Sequence, residues 1–188
     1  MINQYLELSQ VFSLNLELKL ISEQDAKFVL DMRRDPKKSI YISETSPKLK
    51  DQIDFIKNIS TNPSEKYFIV SDKAGNKIGT IRIYNLGQDC FTWGSWVFRD
   101  GIPIMYAIEA ALIIYKVSLK YELGRALFDV RKENISVLNF HTNFGAKKLG
   151  EDNLNVFFEV TPDLIKQGLN KYSRFLPKGI SYGHFKMS

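Results

Sequence analysis

Hydrophobic and polar residues alternate over residues 14–21, with Leu14, Leu16, Leu18 and Leu20 on one face; this period of two predicts a strand. Ser22-Glu23-Gln24-Asp25 then reads as a helix start, because the hydroxyl and carboxylate can satisfy backbone N–H groups that an emerging helix leaves free. Ala26, Val29, Leu30 and Arg33 recur at helical spacing, and Asp35-Pro36 ends the run. Ser46-Pro47 opens a second helix, whose apolar stripe is Leu49, Ile53 and Ile56.

The middle of the chain switches to β-type patterning. Tyr67-Phe68-Ile69-Val70, Lys77 to Tyr84 and Phe91 to Phe98 are separated by turns at 72–76 and 85–89. Connections this short join antiparallel neighbours, so a three-stranded meander is expected. The longest helical pattern follows, with Ile108, Ala111, Leu112, Tyr115 and Leu119 on one face and Gly124 at its end. Arg125 to Val130 reads as a buried strand, and Ile135 to Phe144 as a helix closed by Gly145. Lys147-Lys148-Leu149 and Asn155 to Val160 form two short strands around Glu151-Asp152-Asn153. A last helix runs from Pro162 to about Tyr172 and leaves an irregular basic tail. With no repeat or linker, the expectation is one domain over 1–188, its core at about 14–160 and a C-terminal helix and tail at 161–188. The fold class is α+β, a mixed central sheet flanked by helices.

Composition narrows the chemistry by exclusion. Cys90 is the single cysteine, which rules out an intramolecular disulfide and a Cys-based zinc site. His141 and His184 are the only histidines, so no metal centre is expected. No window approaches the roughly 20 apolar residues of a membrane span. Met1-Ile2-Asn3-Gln4 lacks the basic start of a signal peptide, and a reducing, cytoplasmic setting follows as the expectation. The net charge of +5 is spread over Arg33-Arg34, Lys37-Lys38, Lys147-Lys148 and Lys178. That spread argues against a nucleic-acid arm; a plain solvated surface is the first reading of the charge, with anionic small molecules as the alternative.

Three local patterns in this order of elements carry a resemblance. The first is Leu20-Ile21-Ser22-Glu23-Gln24-Asp25-Ala26 leading to Arg33-Arg34-Asp35-Pro36. The second is Gly94-Ser95-Trp96-Val97 followed by Tyr106-Ala107-Ile108-Glu109-Ala110. The third runs from Asn134 to Phe140-His141-Thr142-Asn143-Phe144-Gly145-Ala146. Together, over residues 14–160, the chain resembles the GNAT superfamily of N-acetyltransferases, in the branch of ribosomal-protein-alanine and amino-sugar acetyltransferases.

The resemblance implies an acetyl-CoA site. The strands at 91–98 and 125–130 would splay apart, and the acyl-pantetheine arm would lie between them like an added strand. Backbone groups near Val97 and Phe98 would pair with the pantetheine amides and polarise the thioester carbonyl. The pyrophosphate would rest on N–H groups at Ile104, Met105, Tyr106 and Ala107, where the helix dipole favours anions. Here the chain departs from the family's "(Q/R)-x-x-G-x-(G/A)" loop: the in-register residues are Ile102, Pro103, Ile104, Met105, Tyr106 and Ala107. Only Ala107 matches. The flanking segments stay in register, which favours a reshaped loop that still binds CoA, with Arg99 or Lys147 supplying charge; a weakened, non-catalytic binding domain is the alternative.

By the same resemblance, Asn134 and Phe140 lie against the cofactor arm, with helix capping as the competing role for Asn134. His141 stands where the family often carries a Tyr that returns a proton to the departing thiolate. A histidine near pKa 6.5 can serve a thiol near 8.5; the alternative is a packed histidine bonded to a backbone carbonyl. The branch's strand Glu is Thr92 here, so no base transfers by register. Glu44 and Asp129 are candidate bases from the substrate side, with a surface or structural carboxylate as the alternative for each; Glu109 in the long helix is a further candidate, with support of the fold as its usual role. Arg33, Trp93 and Trp96 suit an acceptor pocket, the Arg for phosphate or carboxylate and the indoles for a sugar or base. A spacing of three sends the two tryptophans to opposite faces of a regular strand, unless a bulge rotates it.

The expected function is therefore direct-attack N-acetylation of a primary amine, by preference the amino group of a nucleotide-linked amino sugar. A protein N-terminus or another small amine is the alternative acceptor. Acetyl-CoA and a small amine are the expected partners, homodimerisation is left open, and neither nucleic acid nor membrane is expected.

Overall fold

A computed structural model describes residues 8–183; the readings made on Met1–Gln4 and His184 lie outside them. Among the described residues nine strands form one sheet: β1 (Gln10–Phe12), β2 (Leu16–Leu20), β3 (Lys66–Asp72), β4 (Lys77–Tyr84), β5 (Cys90–Phe98), β6 (Arg125–Arg131), β7 (Lys147–Glu151), β8 (Asn155–Val160) and β9 (Ser181–Gly183). Their spatial order is β7-β8-β6-β5-β4-β3-β2-β1-β9. Every neighbouring pair is antiparallel except β5 and β6, which run parallel. The expected meander is β3-β4-β5.

Helices cover both faces. α1 (Ala26–Arg34), the single turn α2 (Pro36–Ser39) and α3 (Leu49–Thr61) lie on one side; α4 (Ile104–Lys120), α5 (Ile135–Phe144) and α6 (Pro162–Lys171) lie on the other. Strand alternation decides the allocation. Tyr67 and Ile69 of β3 join Ala26, Val29, Ile56 and Ile59 in the smaller core. Phe68 and Val70, one residue out of phase, join Ile81, Ile83 and the α4 residues Ala110 to Tyr115 in the larger one. α4 is buried almost all round, so its predicted single stripe understates it.

Several expectations are corrected. The alternation at 14–21 begins at Leu16; Leu14 is exposed in the β1–β2 turn, because pairing with β3 starts only at Leu16. The second helix starts at Leu49, which is itself exposed, and its buried stripe is Gln52, Ile56 and Ile59. Asp35-Pro36 ends α1 but also starts α2, the Asp35 carboxylate accepting from the Lys37 N–H at 2.9 Å. β6 is not buried on both faces: Ala126, Phe128 and Val130 are buried, while Asp129 between them is exposed. The tail is not wholly irregular, since β9 pairs with β1. Strands of three residues carry too little periodicity to read.

The Ser22 start holds, its N–H and hydroxyl both donating to the Asp25 carboxylate at 2.7 and 2.8 Å. Gly124 has φ +79°, and a Cβ there would sit 1.9 Å from the Asp89 carbonyl oxygen. This close approach brings the starts of β5 and β6 together.

Candidate active site

β5 and β6 pair only at Cys90–Arg125 and Phe91–Ala126, and beyond those residues they separate. A bulge in β5 contributes. Gly94 opposes Arg82 and Val97 opposes Thr80, so β5 carries one residue more than β4 between them. Ser95 takes φ +47°, and its carbonyl accepts from the buried Thr80 hydroxyl at 2.7 Å. A bulge bends its strand and raises the local twist. It also brings Trp93 and Trp96 to one side, with ring centroids 5.5 Å apart in an edge contact.

A cleft of about 650 Å³ passes through the opening. Its wall on the α5 side is aromatic. Trp96 donates its indole N–H to the Ala107 carbonyl at 3.0 Å and packs against Phe140 at 5.2 Å, tying β5 to the first turn of α4. His141 is 3% exposed, with its ring 4.4 Å from Phe128 and 5.4 Å from Trp93. Burial pushes its pKa down to about 3, so the imidazole is neutral at pH 7. A role for His141 as proton donor to the thiolate needs a protonated ring, which burial disfavours. The backbone-bonded alternative does not describe Nδ1 either, which is buried without a hydrogen-bond partner. Asn134 lines the cleft and caps α5, its side chain accepting from the Val137 N–H at 3.4 Å.

The wall on the α1 and α3 side is polar. Arg33 donates to the Thr45 hydroxyl at 2.8 Å and to the Ser43 carbonyl and hydroxyl at 3.2 and 3.1 Å. Arg34 donates to the Thr45 carbonyl at 3.0 Å, so the helix end holds the loop that carries Tyr41 and Glu44. Arg82 pairs with Glu65 and lies over the Tyr84 and Phe55 rings at 4.6 and 5.3 Å. Tyr84 stands over Gly94, where an added Cβ would meet its hydroxyl at 3.2 Å. Burial, with a further contribution from the Asp129 charge, raises the Tyr84 phenol above its usual value. Asp129 and Arg131 of β6 complete this wall.

The structure thus brings Arg33, Glu44, Trp93, Trp96, Asn134 and His141 into one cleft. Arg82, Tyr84 and Arg131 join them without having been singled out from sequence. Their signal is faint: Arg82 and Tyr84 alternate with buried Ile81 and Ile83, as residues of any half-exposed strand do.

The donor-side residues follow along β5 and into the start of α4. The Arg99 N–H donates to the Ile78 carbonyl of β4 at 2.9 Å, so by alternation the Phe98 N–H and C=O point away from β4. Val97 is buried in the strand. Ile104 and Met105 open α4 and are 73% and 45% exposed. The Tyr106 N–H is used by the Pro103 carbonyl. The first N–H groups of the helix thus face outward beside apolar side chains. The Arg99 guanidinium packs over Phe28 of α1 at 5.0 Å, in a separate cleft with Asp100 and Lys38. It does not turn toward the opening. Lys147 is exposed at the start of β7. A strand-like arm thus finds an unpaired edge at Phe98 and a helix N-terminus beyond it, which fits an acyl-pantetheine donor.

The model of the acetyltransferase (GNAT) domain matches residues 15–147. The chain belongs to the GNAT acetyltransferases. A structure described as apo FdhC, a nucleotide-linked sugar GNAT, is 31% identical with a TM-score of 0.77, covering 90% of this chain and 98% of its own. A putative acetyltransferase from T. thermophilus has 14% identity and a TM-score of 0.72, covering 89% and 97%. The spermidine N-acetyltransferase of Vibrio cholerae, solved with CoA and spermine, has 14% identity and a TM-score of 0.68, covering 80% and 98%. The last two show the shared fold alone. No curated protein matches the chain by sequence. This GNAT is an acyl-CoA N-acetyltransferase, and the family uses acetyl-CoA. Among the described residues, no helix is long and apolar enough to cross a membrane.

Proposed function

We propose that this GNAT acetylates the amino group of a nucleotide-linked amino sugar. The observation that carries the reading is the polar wall. Arg33 and Arg131 line the cleft without a carboxylate partner among the described residues, and Arg82 lines it while paired with Glu65. Guanidinium groups suit the oxygens of a diphosphate, while Trp and Tyr faces suit the sugar and base. The 31% identical relative, described as a nucleotide-linked sugar GNAT, supports the same acceptor.

Acetyl-CoA supplies the thioester whose carbonyl carbon is open to attack by a neutral amine. The outward-facing Phe98 amide edge holds the pantetheine arm and offers an N–H to the charge that develops on the carbonyl oxygen. Free N–H groups at Ile104 and Met105 receive the pyrophosphate, while Ile104 and Met105 themselves give that site an apolar rim in place of the family's glycine. Asn134 and Phe140 border the arm from α5. His141 serves as an uncharged wall beside Trp93; a thiolate of ordinary pKa leaves without a strong acid.

The test combines purified protein, acetyl-CoA and four amine classes: nucleoside-diphosphate amino sugars, free amino sugars, peptides and polyamines. Thiol release is expected with the first class, at a kcat/KM at least tenfold above the others. Equal turnover of free amino sugars would remove the role given to the arginines.

A further inference from the structure

We infer that Asp129 is the proton acceptor for the attacking amine, with the Tyr84 hydroxyl as its partner across the opening. The inference rests on the acetyl-transfer reading of the cleft and holds for whichever amine the cleft accepts.

The fold places the two groups together. Cys90 pairs with Arg125 and Phe91 with Ala126, so Gly94 and Asp129 each stand three residues beyond the last pair, on the two sides of the gap, and both line the cleft. Tyr84 overhangs Gly94 from β4. Arg82 and Tyr84 alternate with core residues Ile81 and Ile83, and Asp129 alternates with core residues Phe128 and Val130. All three therefore rise from the α1 and α3 face, where the polar wall receives the acceptor. Gly94 has no side chain to separate them, and the strands have already parted at that level.

Other carboxylates fit less well. Asp51 is held by the Ser46 hydroxyl at 2.5 Å, and Glu65 is committed to Arg82. Glu109 accepts from the Asn15 backbone N–H and side-chain amide at 3.1 and 2.8 Å and is buried away from the cleft. Glu44 lies on the loop at the outer wall. The Asp129 side chain has no hydrogen bond or ion pair among the described residues, while its backbone pairs with Phe157 in β8. It stands on a strand, at the edge of the gap. The Asp129 charge also disfavours ionisation of Tyr84, so the phenol stays a donor.

The chemistry balances without a further reactant. The amine arrives as an ammonium and gives one proton to the Asp129 carboxylate, beside the Tyr84 phenol. The nitrogen lone pair forms the C–N bond and the C–S bond breaks. The remaining excess proton on nitrogen passes to the departing thiolate, which leaves as the thiol. Asp129 then releases its proton to water.

The experiment compares wild type with Asp129→Asn, Tyr84→Phe and Glu44→Gln on the best amine of the panel, from pH 6 to 10. Asp129→Asn is expected to lower kcat/KM by about 10²–10³-fold at pH 7. The deficit should shrink toward pH 10, where the amine is already neutral, and acetyl-CoA affinity should stay within about twofold. Tyr84→Phe should cost about tenfold. A loss under threefold in Asp129→Asn, or a larger one in Glu44→Gln, would overturn the assignment. If wild type turns over no amine in the panel, the acceptor reading fails separately. The pair is then read by ultraviolet titration of the phenols, subtracting the Tyr84→Phe curve. Asp129→Asn should lower the Tyr84 midpoint, and an unmoved midpoint overturns the pairing.

Discussion

The wall that α5 lends to the cleft is aromatic and closed, whereas the wall from α1 and α3 is charged and open. On the first, Trp93, Phe128 and His141 pack ring against ring at 4.4 to 5.8 Å, and the histidine is kept neutral. On the second, Arg33, Arg82, Tyr84, Asp129 and Arg131 stand around a space that water can enter. The sheet alone separates them, and it is open only where β5 and β6 have parted. The difference assigns the tasks. An apolar wall excludes water from a thioester, and a charged wall binds an ionic acceptor and moves its proton.

Closing the passage between the walls should have the largest effect. Gly94→Leu places a branched side chain under the Tyr84 hydroxyl, where even a Cβ lies at 3.2 Å. Turnover should fall by at least about 10²-fold with the melting temperature nearly unchanged, since misplacement alone costs that much. A steady-state assay beside a thermal melt checks this. Trp96→Ala should damage the aromatic wall itself. It removes the bond to the Ala107 carbonyl and the contacts with Trp93 and Phe140, at a cost of about 3 kcal/mol in denaturant unfolding. Acetyl-CoA should also bind more weakly, because the first turn of α4 loses its tie to β5.

A third prediction uses pH. The folded chain does not protonate His141 until about pH 3, whereas the unfolded chain does so near 6.5, so acid favours unfolding between those values. Wild type should lose about 2 kcal/mol more than His141→Phe on going from pH 7 to pH 4.5, measured by denaturant titration at both values. Equal losses would mean that the imidazole is hydrated and the wall is open. The smallest effect is expected outside the cleft. Asp100 bridges Lys37 and Lys38 at 2.9 and 2.6 Å on the surface near α4. Asp100→Asn should change acetyl-CoA affinity by less than about threefold, because exposed pairs contribute little. A calorimetric titration reads the difference.

The same contrast explains what the sequence makes legible. The aromatic wall grows from contiguous segments, Trp93 to Val97 and Phe140 to Phe144, whose spacing follows one strand and one helix. It can be read directly, apart from the bulge at Ser95, where a serine rather than a glycine takes the left-handed conformation. The neutral state of His141 is not readable, because burial comes from Phe128 and Phe158 on distant strands. The polar wall collects single residues from α1, α3, β4 and β6, each an ordinary surface position on its own element. Only the folded sheet brings Asp129 and Gly94 to one cleft. β1 and β9 escape a sequence reading for another reason: three residues are too few to show a period.

The central claim is that donor and acceptor meet in the opening between β5 and β6, approaching from opposite faces of the sheet. A conjugate of CoA joined through its acetyl group to an amino-sugar nucleotide spans both walls at once, and its affinity can be measured by calorimetry. The conjugate should bind at least about 10²-fold more tightly than acetyl-CoA alone, and Gly94→Leu should abolish that gain. A conjugate that binds no better than acetyl-CoA, or that gains equally in Gly94→Leu, would contradict it.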